Sequence, residues 1–181
     1  MSQTGPSTAP GPSPQPAASP ASKQAQQRAE QWWASAGPAF LAAFRTGQCT
    51  DWASQKRPDI IERVEIAHER ASILEHPGLP NVNDWNAYHW AALAAWAGIS
   101  TGHTPRVGAI IVFQPGVEFS GPGGFYVSHP VRGHVGYVED VNSDGSFTIS
   151  EMNGLLGPGR VDAQNLSAGV AATPGITFIY S

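Results

Sequence analysis

The hydrophobic period of this chain changes once. Up to Gly98 apolar residues recur at spacings of three and four, and beyond it they alternate or run together. A helical first part followed by a stranded second part predicts an α+β domain, with N-terminal helices packed on an antiparallel sheet. The 181 residues suffice for one domain with a real core and are too few for two ordinary domains plus a linker, so a single active site is expected.

Residues 1–22 are almost wholly Pro, Ser, Ala, Gly, Thr and Gln, a composition that buries too little apolar surface to offset the cost of ordering. They read as a disordered, extended linker suited to tethering the remaining residues, 23–181, to another module or a phage particle. From Lys23 to Phe44 the composition turns helical, with Pro38 as an interruption. A tight turn at residues 47–49 then feeds a helix to about Lys56. A second helix is predicted from about Asp59 to Leu74, stopped by Pro77-Gly78. A third follows Asn83, with Trp85, Ala92 and Trp96 on one stripe, and ends at Gly98. Residues 107–113 form an apolar β-branched run, residues 114–133 read as a long Gly- and Pro-rich loop, and residues 175–180 supply a last strand. No internal repeat recurs.

Several function classes fall away on composition. A net charge of −4 without any run of Lys or Arg argues against nucleic acid as a partner. No stretch approaches the roughly 18 apolar residues of a membrane span, and the first twenty residues lack the basic start and apolar core of a classical secretory signal. The single cysteine, Cys49, excludes an internal disulfide and a cysteine-rich metal knuckle. It is either a small buried hydrophobe, the commoner fate of a lone cysteine, or a nucleophile.

Its position favours the second reading. At a helix start, unpaired N–H groups and the helix dipole stabilise a thiolate, and the same N–H groups can receive an oxyanion. Residues 134–141 and 146–151 alternate around Asn142-Ser143-Asp144-Gly145, a strong hairpin signal. For a two- or four-residue loop, even-numbered residues of the first strand share a face with odd-numbered residues of the second. His134 then lies on the face of Glu151 and Asn153, and with the four-residue loop it stands opposite Asn153 and diagonal to Glu151. A thiolate nucleophile, an imidazole base and a carboxylate that fixes the imidazole tautomer are the parts an amide hydrolase needs. From the residues alone Asn153 can orient the imidazole, position Glu151 or hold substrate.

Five segments in order, Gly47-Gln48-Cys49-Thr50-Asp51-Trp52-Ala53, Asn83-Asp84-Trp85-Asn86-Ala87, Thr104 to Ile110, Gly133-His134-Val135-Gly136-Tyr137-Val138-Glu139 and Ile149-Ser150-Glu151-Met152-Asn153, resemble the CHAP family of cysteine- and histidine-dependent amidohydrolases and peptidases. The resemblance spans roughly residues 44–180. It implies a papain-like fold, hydrolysis of an amide bond in bacterial peptidoglycan (N-acetylmuramoyl-L-alanine or stem and cross-bridge peptides) at the cell wall, and active-site positions at Cys49, His134, Glu151 and Asn153. Many members of that family are phage lysins or wall-remodelling enzymes. Gln48, beside the nucleophile, and Trp85 are expected to touch substrate. Two departures stand out: the second helix and the 114–133 loop are longer than is usual in the family. Some members bind calcium through acidic residues around the cysteine, but Asp51 is nearly alone here, so no metal or other cofactor is expected. His129 reads as a solvated loop residue, Trp52, Trp90 and Trp96 as core, and His68, His76, His89 and His103 have no assigned role. Two other readings stay open: a binding module that keeps the cleft to recognise wall peptides, and a thiol peptidase or transferase acting on protein.

Overall fold

The computed structural model describes residues 44–73, 84–121 and 124–180. The expected linker, the helix before Phe44 and the stop at Pro77-Gly78 lie outside them. Helix α1 spans Cys49–Lys56 and α2 Pro58–Ile73. Pro58 is the first residue of α2, one before the expected start, where a proline has no hydrogen bond to lose. Ile60, Ile61 and Val64 form its buried face. A 3₁₀ turn at Ala87–His89 leads into α3, Trp90–Trp96, which closes at Gly98 with φ +73°.

The expected stripe on this third helix is corrected. Trp85 precedes the helix, Trp96 is 39% exposed, and the buried face is Ala87, Trp90, Leu93 and Ala94. The segment begins as 3₁₀, so the helical phase starts later than a count from Asn83 assumes.

The strands follow: β1 Thr101–Gly102, β2 Ile110–Phe113, β3 Glu118–Gly121, β4 Gly124–Val127, β5 His134–Val141, β6 Phe147–Met152, β7 Val161–Leu166 and β8 Ile176–Ile179, with the short helix α4 Ala168–Ala171 before β8. Six of them form one antiparallel sheet in the order β1-β8-β2-β5-β6-β7. Central β2 is fully buried: Ile110 and Val112 meet the helices, while Ile111 and Phe113 meet the opposite core with Val138, Phe147, Ile149 and Phe178. The α+β architecture is as the change of period predicts, with the arrangement of helices on an antiparallel sheet that a papain-like fold requires.

Three details differ from the sequence reading. Strand β2 begins at Ile110 because Arg106 to Ala109 form a turn, with Gly108 at φ +85°. The 114–133 segment contains the β3–β4 hairpin, whose Phe119 stacks on Phe113 at 4.7 Å between ring centroids. Strand β7 was also hidden, because its polar residues have low strand propensity and it sits at the sheet edge.

The β5–β6 pairing bears directly on the site. Near the turn Val141 faces Phe147 and Asp140 faces Thr148, but beyond a bulge Val138 faces Ile149 and Tyr137 faces Ser150. The loop is one residue longer than expected, and Glu139 is the extra residue that restores the expected register on the far side. With no bulge, the one-residue slip would turn Glu151 to the other face of the sheet.

Candidate active site

Cys49 is the first residue of α1, preceded by Gln48 in extended conformation (φ −101°, ψ 172°). Its turn is held from several sides. The Asp51 carboxylate accepts the Gly47 N–H at 3.1 Å and the Gln55 side-chain amide at 2.7 Å, and Gly47 O accepts the Gly159 N–H at 2.8 Å. Asp51 is buried, and its carboxylate closes the helix start much as a capping-box acid does. Gly47 sits at φ +70° with the Gly159 backbone close to where a Cβ would stand, so the turn needs glycine twice over.

His134 opens β5 and Glu151 lies near the end of β6. The His134 Nε2 and Glu151 Oε2 are 2.5 Å apart, with side chains 16% and 3% exposed. The other ring nitrogen, Nδ1, is left for Cys49. Burial alone would raise the Cys49 thiol, but hydrogen bonding with His134, the imidazolium charge and the Val135 and Thr50 N–H groups outweigh it and hold the thiol below its usual range. Burial alone would likewise lower His134. Its bonds to Cys49 and Glu151, with their negative charges, push it up to about 10. Glu151 is also held below the carboxylate range, against the effect of burial, by His134 and then by Gln164. The lowered thiol and the raised imidazole favour a thiolate–imidazolium pair with a carboxylate behind it, groups of the kind that can attack an electrophilic carbonyl and protonate a leaving group.

These three side chains line a cleft of about 810 Å³, with Gln48, Asn153 and Trp85 also on its walls. Asn153 does not reach the imidazole. Its Nδ2 donates to Gln48 Oε1 at 2.6 Å, from a left-handed backbone (φ +60°) that asparagine tolerates. This bond engages the carbonyl oxygen of Gln48, the neighbour of Cys49 in sequence, and leaves its NH2 group for another partner. Trp85 packs between Phe44 and Trp90, with ring centroids at 5.6 and 5.5 Å, and its indole N–H is buried. Trp90 is core, as expected, and Trp52 is half-buried, donating from Nε1 to Ser150 Oγ at 2.9 Å. His129 is an exposed loop residue on the cleft wall, and its Nδ1 accepts the Val131 and Arg132 N–H groups at 3.2 and 3.1 Å. Among the described residues no group of three or more His, Cys, Asp or Glu side chains is placed to hold a metal ion.

Sequence reasoning missed Gln164. From β7 its Nε2 donates to Glu151 Oε1, so both carboxylate oxygens are engaged, one by the imidazole and one by the amide. No local motif announces it. Only the β6–β7 register, with Ser150 opposite Ala163 and Glu151 opposite Asp162, brings it there.

The sequence profile of the CHAP domain matches residues 41–153, a stretch that holds Cys49, His134, Glu151 and Asn153 and ends before Gln164. Staphylococcal secretory antigen ssaA2 of Staphylococcus aureus (strain NCTC 8325 / PS 47) is 42% identical over 95 residues, 52% of this chain and 30% of that protein. Staphylococcal secretory antigen SsaA of the same strain is 41% identical over 88 residues, 49% of this chain and 29% of that protein. The matches thus span about 30% of the length of these curated relatives. An N-acetylmuramoyl-L-alanine amidase from Staphylococcus aureus, known from its crystal structure, is 27% identical with a TM-score of 0.47, covering 75% of this chain and 30% of that one. With the profile matched across more than half of its length, and the cysteine, histidine and glutamate segments in the family's order, the chain belongs to the CHAP domain family.

Proposed function

We propose that this domain hydrolyses an amide bond of bacterial peptidoglycan by a thiol mechanism, acting at the cell wall. The observation that carries the reading is the line Cys49, His134, Glu151 along one open cleft. Membership of the CHAP domain family supports the wall polymer as substrate, and the likeness to secretory antigens supports action outside the cytoplasm.

The Cys49 thiolate attacks the amide carbonyl carbon and the carbonyl π pair moves to oxygen. That oxyanion sits against the Cys49 N–H, which has no acceptor among the described residues, and the Gln48 side-chain amide held by Asn153. As the C–N bond breaks, His134 Nδ1 passes its proton to the departing amine, leaving a thioester on Cys49. Water then loses a proton to Nδ1 and attacks the thioester, releasing the carboxylic acid and restoring the thiolate. Glu151 keeps Nε2 protonated and the ring aimed throughout, and Gln164 holds Glu151. Trp85, with its ring on the cleft wall, packs against substrate there.

Purified peptidoglycan incubated with the protein is expected to release free amino groups, and mass spectrometry of the new ends distinguishes N-acetylmuramoyl-L-alanine cleavage from endopeptidase cleavage. Cys49→Ala is expected to release none. Binding of walls by both proteins, with no release by either, would replace the hydrolase with a wall-peptide-binding module.

A further inference from the structure

We propose that Arg132 is a carboxylate-binding residue of the cleft, selecting peptides that carry a free carboxylate within about two residues of the scissile amide. The proposal rests on the hydrolase reading and adds a substrate class to it.

Arg132 lies on the cleft wall, two residues before His134. Its main chain is fixed on both sides: the carbonyl accepts the Tyr88 N–H at 3.1 Å, and its N–H donates to His129 Nδ1 at 3.1 Å. Gly133, at φ +67° with Phe113 O where a Cβ would stand, donates to His129 O at 2.9 Å. A pinned backbone under an exposed arginine presents the guanidinium from a defined point.

That guanidinium makes no ion pair or hydrogen bond among the described residues. Arg57 is engaged with Asp59, Lys56 with Glu139 and Arg106 over the Tyr180 ring, and of the described lysines and arginines Arg132 is the one that lines the cleft. The carboxylates on the cleft wall do not neutralise Arg132 either. Asp84 accepts from the Asn86 N–H and side chain and lies 3.8 Å from His89, while Glu151 is taken by His134 and Gln164. In a chain of net charge −4, the cleft therefore keeps one unpaired planar fork whose geometry matches a carboxylate. With only the left-handed Gly133 between them, its Cα is at most about 7 Å from that of His134, which puts its reach one or two peptide units from Cys49.

The test uses two cross-linked muropeptides, each with N-acetylmuramic acid, stem peptide and cross-bridge, identical except that the free carboxylates of one are converted to primary amides. The protein is expected to show about tenfold higher kcat/KM on the carboxylate form, chiefly through KM, with the preference shrinking as salt is raised. Arg132→Gln brings the carboxylate form down to the level of the amide form, Arg132→Lys keeps part of the difference, and Arg106→Gln, away from the cleft, keeps it all. No preference in the parent, or a preference that survives Arg132→Gln, overturns the proposal while leaving the hydrolase intact. With every bond named above present in these muropeptides, cleavage of neither means that the hydrolase reading fails, and calorimetric binding to Cys49→Ala decides on Arg132. About tenfold tighter binding of the carboxylate form, lost when Arg132→Gln is added, upholds the carboxylate site, and equal binding overturns it.

Discussion

The two ends of the β5–β6 hairpin follow different registers. At the turn end the chain is polar and local: Asp144 accepts from the Ser146 N–H at 2.9 Å and Oγ at 2.6 Å, which holds its carboxyl below the usual range, and Asn142 N–H donates to Ser146 O. At the cleft end the same strands pair one residue out of step with the turn, and only there does Glu151 share a face with His134. Between them lies Glu139, which accepts from Ser150 Oγ at 2.6 Å and from Lys56 at 2.8 Å. A bulge away from the chemistry thus takes up the one-residue difference between the two ends, and the turn alone does not set the geometry of the site.

His134→Ala breaks the comparison most severely, because it removes the base at the cleft end and leaves the turn end as it is. Wall-hydrolysing activity is expected to fall about 10⁴-fold, toward that of Cys49→Ala, with far-UV dichroism retaining the strand signal. Deleting Glu139 instead joins Val138 to Asp140 with Ile149 and Thr148 still opposite them, and is expected to leave Glu151 on the face of His134. Glu151→Gln keeps the register and removes only the charge. A drop of about 10²-fold in kcat is expected, with the upper limb of the pH profile moving down, because the imidazolium loses the carboxylate that raises it. Gln164→Leu leaves the carboxylate in place but frees one oxygen, and is expected to lower kcat about tenfold with little change in KM. At the other end, Asp144→Ala should lower the melting temperature slightly and leave kcat/KM unchanged. Activity lost at Asp144 as severely as at His134 would show that the two ends act as one unit.

How much of this was legible beforehand follows from the same contrast. Cys49 at a helix start, Gly98 at a helix end and the strand residues of β5 and β6 are local signals, and each stands where its neighbours in sequence predicted. The His134 and Glu151 pairing was reached from a four-residue loop. The loop is one residue longer and the bulge compensates, so the register at the cleft was right although the turn was not. Gln164, the β3–β4 hairpin and the true face of α3 were not legible. Gln164 depends on an edge strand of polar residues, the hairpin is four residues a side amid glycine and proline, and the face of α3 is set by where a 3₁₀ turn gives way to helix. In each case tertiary packing overrides local propensity.

The central claim is that Cys49 rests as a thiolate paired with a protonated His134. It is tested most directly by the pH dependence of Cys49 alkylation by iodoacetamide. A lowered thiol and an imidazole raised to about 10 make the ion pair the dominant state from below the usual thiol range up to about pH 10. Alkylation is therefore expected to be fast well below pH 8, and His134→Ala to move its rise to higher pH. A rate in the parent that rises only through the ordinary thiol range near pH 8.5, unchanged in His134→Ala, would contradict the ion pair and the mechanism built on it.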